Sequence, residues 1–111
     1  MSHYFSKEQE TPFTLTTFHA VLNGKEYTFF TAPGVFSKDN VDFGTKILAA
    51  YMRIGKHDTV LDLGCGIGIL GTVAAEQTDE QVILVDVNPR AVKLARMNTK
   101  HLSNTEVMES D

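Results

Sequence analysis

The stretch VLDLGCGIGILG, Val60 to Gly71, runs from a short apolar segment through an acid into a ladder of glycines. Asp62 stands two residues before Gly64, and Gly64-Cys65-Gly66-Ile67-Gly68 places a residue without a side chain at every second position. Backbone at such a turn can approach a bound ligand closely. Gly66, Gly68 and Gly71 also spell G-x-G-x-x-G, with a second acid, Asp86, twenty residues after Gly66. That is the literal fingerprint of a nucleotide-binding βαβ unit, in which the turn takes the phosphates and the acid takes the ribose.

Outward from this turn, short apolar runs alternate with helical stretches from Thr59 onward, the pattern of βα units laid into a parallel sheet. Strands are expected over Thr59 to Leu63, Gln81 to Val85 and Thr105 to Met108. A helix is expected from about Gly68 through Glu76, with Ile69, Leu70, Val73 and Ala74 facing the sheet. Asn88 offers an N-cap with Pro89 at the first helical position, and Ala91, Val92, Leu94 and Ala95 bury one side of the helix that follows. Upstream, two β-prone runs, Leu15 to Leu22 and Glu26 to Thr31, flank Asn23-Gly24 and predict a hairpin. Phe43, Ile47, Leu48 and Tyr51 fit a helix capped by Asp42 and stopped near Gly55.

The expected fold class is therefore α/β: the N-terminal part of a doubly wound, Rossmann-like sheet, preceded by a β-hairpin and a helix. Residues 1–12 read as a flexible arm, 13–55 as the hairpin-and-helix preface, and 56–111 as the first half of a ligand-binding domain. In such sheets the ligand crevice lies where strand order reverses, between strand one and a fourth strand. The sequence carries three sheet strands and is expected to be truncated after the third. Strand one would then have an open apolar edge at Val60, Leu61 and Leu63, a surface for pairing with a second copy.

Two cofactor classes suit a glycine turn of this kind. A dinucleotide brings a doubly negative pyrophosphate, whereas S-adenosylmethionine brings a sulfonium and an ammonium with one carboxylate. Like charges about 4 Å apart repel by roughly 4 kcal/mol at an effective dielectric near 20, and no Lys or Arg lies between Asp62 and Gly71 to relieve them. Charge thus favours the methyl donor. DLGCGIG followed by VILVDVNP resembles the first two motifs of the class I S-adenosylmethionine-dependent methyltransferases. Gly34 to Leu48, GVFSKDNVDFGTKIL, is similar to the segment before the glycine loop in the small-domain methyltransferases that modify the guanine amine of ribosomal RNA.

The resemblance implies cofactor-binding roles for Asp62, Gly64, Cys65, Gly66 and Gly68, for Asp86 with Val87 and Asn88, and for Asp111 at the end of the third strand. Asp86 would accept from both ribose hydroxyls, and Asp111 from the adenine amine. Phe36, Ser37, Asp42, Gly44 and Thr45 match the family's cover over the cofactor. The Asn-Pro-Pro-aromatic motif that positions the target amine in this family does not occur, and Asn88-Pro89 is a helix start instead. No catalytic residue is assigned, and little methyl transfer is expected from these 111 residues alone. A nicotinamide-dependent oxidoreductase, a binding or oligomerisation module without catalysis, and a methyltransferase for a protein glutamine or a small molecule are the alternatives.

A net charge of −4 gives no general attraction to nucleic acid, so an RNA partner would need a local basic patch. Lys93, Arg96 and Lys100 share a helix face, though such stripes are ordinarily solvated. Cys65 is the one cysteine, which precludes an internal disulfide; with no signal-type or membrane-length apolar run, a cytoplasmic setting without membrane contact is expected. His3, His19, His57 and His101 are scattered, and no metal site is expected.

Overall fold

The structure, a computed structural model, describes residues 14–33 and 43–110. Strands β1 (Thr16–Leu22) and β2 (Lys25–Thr31) form an antiparallel hairpin, and helix α1 (Phe43–Tyr51) follows. Then come β3 (Val60–Leu63), α2 (Ile69–Ala75), β4 (Val82–Asp86), α3 (Pro89–Asn98) and β5 (Thr105–Glu109). The last three strands make a parallel sheet in the order β3-β4-β5. Each expected element is present, with ends shifted by a few residues, as fraying termini allow. The largest shift is at α1, which ends at Tyr51 rather than near Gly55.

The hairpin turns on Asn23 and Gly24, whose φ of 54° and 78° are the left-handed angles this two-residue loop requires. Alternation then points Phe18, Leu22 and Phe29 inward, where they meet Ile67, Ile69, Val73 and Leu94. A lone hairpin is marginal in water; burying each of these large side chains contributes about 1.5–3 kcal/mol and seats it on α2 and α3. On the other side of those helices, Val82, Leu84 and Val107 of the sheet pack with Cys65, Ala75, Val92 and Ala95. The described chain is thus layered as hairpin, helices and sheet.

Alternation along the strands gives the sheet a second face, and no described element covers it. Leu61 and Leu63 are 60% and 71% exposed, and Met108 lies on the same side. The outer edge of β3 pairs with no described strand. Helix α1 departs from a simple amphipathic reading: Phe43, Ile47, Leu48 and Tyr51 all face outward, and Ala49 is its buried residue. Its small residue seats the helix, and its large apolar side chains extend the uncovered surface.

At the end of the sheet away from the glycine turn, Asn104 Nδ2 reaches the carbonyls of Ala75, Thr78 and Glu80 at 2.9–3.1 Å. One carboxamide so ties β5 to the loop leaving α2.

Candidate functional site

The glycine turn leaves the carboxyl end of β3 and folds over that of β4. Gly64 and Cys65 both donate their N–H to the Val85 carbonyl, at 2.8 and 2.9 Å. Gly64 and Gly66 have φ of 70° and 57°, and a Cβ on either would project into open space. These bare backbone faces border a cleft of about 160 Å³, lined by residues from Gly64 to Ile67 together with Asp62, Ile69, Leu70 and Thr45. Whole small-molecule pockets are about 300–1,000 Å³, so the described residues form one side of a pocket of that size.

Gly68 is the N-cap of α2, in a left-handed conformation and without a side chain to cap with. Asp62 does that work from the neighbouring strand: its carboxylate accepts the N–H of Gly71 in the first turn. Its Oδ2 atom is buried and accepts no hydrogen bond from a described residue. Burial, and then the negative charge of Asp86, push the Asp62 carboxyl above its ordinary range. An acid in this state gains from a cation or donor placed beside it.

Asp86 braces the turn. One oxygen accepts from Gly66 N–H at 2.8 Å and the other from Asn88 N–H at 2.9 Å. A carboxylate has about four lone-pair sites, so ribose hydroxyls can share these oxygens with the backbone. Asn88 is committed to α3, its side chain accepting from Arg90 N–H, with Pro89 at the first position as the sequence indicates. Val87 is exposed in the turn between them. Of the anticipated residues, Asp62, Gly64, Cys65 and Gly66 therefore line one cleft, Gly68 and Asn88 cap helices, and Asp86 ties β4 to the loop. Asp111, Phe36, Ser37 and Asp42 lie outside the described residues, whereas Thr45 reaches the cleft from α1.

Cys65 is buried, and desolvation followed by the charges of Asp62 and Asp86 pushes its thiol up to about 12. It is a packing residue, because the nucleophilic form of cysteine is the thiolate. Alkylation by iodoacetamide at pH 8, followed by mass spectrometry, is expected to be far slower than for a free cysteine. Labelling at the free-cysteine rate would contradict this environment. Among the described residues no group of histidine, cysteine and acids could hold a metal, and no helix is long and apolar enough to cross a membrane. Arg96 of the anticipated basic stripe is engaged, its Nη2 donating to the Val107 carbonyl at 3.0 Å.

One residue at this site was not anticipated. Asn98, 6% exposed at the end of α3, donates from Nδ2 to the Ile67 carbonyl and accepts from Phe30 N–H. Its signal in the sequence is a carboxamide at a position that the stripe Ala91, Leu94, Ala95 assigns to the interior.

Comparison with known proteins agrees with this geometry. The family model described as methyltransferase small domain matches residues 26–111. The uncharacterized protein YbxB of Bacillus subtilis is 34% identical over 113 residues, covering 98% of this chain and 56% of that protein. Ribosomal RNA small subunit methyltransferase C of Hamiltonella defensa is 34% identical over 97 residues, 86% of this chain and 29% of that protein. Among solved structures, the T. thermophilus 16S rRNA N2 G1207 methyltransferase (RsmC), in complex with AdoMet and guanosine, superposes with a TM-score of 0.78 at 31% identity. That match covers 90% of this chain and 29% of that one. The chain thus spans about half the length of one of these relatives and under a third of the other two. With its α/β fold, its glycine turn and this match over residues 26–111, the chain belongs to the methyltransferase small domain family.

Proposed function

We propose that this chain forms the S-adenosylmethionine-binding part of a methyltransferase acting on an exocyclic guanine amine of ribosomal RNA. The observation that carries the reading is the buried, unpartnered Oδ2 of Asp62 at the edge of a glycine turn, with a second carboxylate, Asp86, behind it. One acid in the cleft lining, a second beside it and no described basic residue in that lining suit a cationic ligand and oppose a pyrophosphate. S-adenosylmethionine, when bound, supplies a methyl group already activated on a sulfonium. The work of the chain is to hold that donor: Asp62 would sit by its positive charge, the bare backbone of Gly64 and Gly66 would admit it closely, and Asp86, which fixes the turn, would accept from its ribose.

The acceptor is inferred from relatives whose names specify ribosomal RNA, one of them solved with guanosine. An Asn-Pro-Pro-aromatic segment is not found in this sequence, so none of its residues is given the task of holding the target amine. Calorimetric titration should detect binding of S-adenosylmethionine and S-adenosylhomocysteine and none of NAD or NADP. Tight binding of a nicotinamide dinucleotide, with silence toward S-adenosylhomocysteine, would overturn the reading.

A further inference from the structure

A carboxamide presents one donor and one acceptor side by side, which matches the N–H and C=O of a single strand residue. Asn98 uses this match on Phe30 of β2, accepting from its N–H at 2.7 Å and donating to its carbonyl at 3.1 Å. The remaining Nδ2 proton goes to the Ile67 carbonyl at 2.8 Å. Ile67 sits between Gly66 and Gly68 of the turn, and it lines the cleft. Its side chain, 1% exposed, packs in the same cluster as Phe18, Leu22 and Phe29. Hairpin and ligand loop therefore meet at one residue on α3, by hydrogen bonds and by shared packing.

We propose that Asn98 is a positioning residue through which docking of the β1–β2 hairpin sets the geometry of the donor-binding loop. The proposal rests on the donor-binding reading above. A buried carbonyl that loses its donor either shifts toward another or remains unpaired at a cost, and a shift at Ile67 moves its neighbour Gly66, which lines the cleft. The coupling is reciprocal: if a docked hairpin favours the ligand-ready loop, the ligand must favour the docked hairpin by the same factor. Phe30 does not line the cleft, so protection of its amide reports the linkage rather than direct contact.

The test uses the full 111-residue chain, with Asn104→Ala as a control for plain destabilisation, because Asn104 makes a comparable set of backbone bonds at the far end of the sheet. Asn98→Ala is expected to speed hydrogen exchange at both Phe30 and Gly68 amides and to weaken S-adenosylhomocysteine binding, each by about tenfold. Asn98→Ser takes its place if the alanine variant does not fold. Asn104→Ala, compared at equal distance below its melting temperature, is expected to leave the affinity and both amides within about twofold of wild type. In the wild type, S-adenosylhomocysteine is expected to slow exchange at Phe30. Equal losses of affinity in the two variants, or binding that leaves Phe30 exchange unchanged, would overturn the proposal. If wild type binds no S-adenosylhomocysteine, the donor reading fails, while the coupling is still decided without ligand: acceleration at Phe30 but not at Gly68 refutes it.

Discussion

Asparagine at position 62 is expected to separate binding from stability: Asp62→Asn should weaken S-adenosylmethionine by about 100-fold, roughly 2.8 kcal/mol, while leaving the fold at least as stable at neutral pH. The carboxylate has two tasks. It accepts the Gly71 N–H at the start of α2, and it presents a buried, unpartnered oxygen to the cleft. Asparagine keeps the first and loses the charge needed for the second. Alanine loses both, and Asp62→Ala should cost about 1 kcal/mol of stability, as for a lost helix cap. The pH dependence follows from the raised pKa. In the unfolded chain this carboxyl loses its proton near 3.8, and in the fold only at higher pH, because of burial and then Asp86. Between those values the folded state holds the extra proton, so unfolding free energy falls as pH rises and the loss is complete above the folded pKa. Melting temperatures measured from the acid range to neutrality should therefore shift against wild type relative to Asp62→Asn. Affinity for the cationic donor should rise over the same window. A variant that binds S-adenosylmethionine as tightly as wild type would remove Asp62 from the site.

The second large effect is expected at Gly71. Here the third glycine of the fingerprint serves packing rather than ligand approach: a Cβ would sit 2.7 Å from Leu84 Cγ and closer still to Cδ2. Leu84 is fully buried in the middle strand of the sheet, so neither backbone nor side chain can yield cheaply. Overpacking of this kind costs about 1–3 kcal/mol, against a helix-propensity gain of about 1 kcal/mol for alanine over glycine. The clash should win, and Gly71→Ala should melt about 5–10 °C below wild type. Leu84→Ala alone opens a cavity, but the double variant should be less destabilised than the sum of the two, since each change makes room for the other. A Gly71→Ala protein as stable as wild type would mean that α2 does not pack this closely on the sheet.

Much of this was legible in the sequence because it follows from local chemistry. Asn23-Gly24 specifies its turn, Asn88-Pro89 starts a helix, and the stripe Ala91, Leu94, Ala95 assigns a buried face without knowledge of what lies opposite. The cleft was legible in part, since Asp62 and the alternating glycines are contiguous. What was not legible are the relations made by partners distant in the chain. Asp62 caps a helix nine residues on because Gly68 carries no side chain to do so. Asp86 spends hydrogen bonds on Gly66 and Asn88 before any ligand arrives. Asn98 is an unremarkable helix-ending residue until Phe30 and Ile67 are brought beside it. The outward stripe of α1 reverses the usual reading of an apolar helix face, which assumes that the surface it meets is present among the described elements.

The union of Phe30 with Asn98 across 68 positions of chain also orders events during synthesis. Hairpins close within about 1–10 μs, whereas a ribosome adding roughly 5–20 residues per second needs about 3–14 s to reach Asn98 after Phe30. Until α3 is made, Phe18 and Phe29 have only the α2 side of their seat, and the two-stranded hairpin on its own is marginal in water.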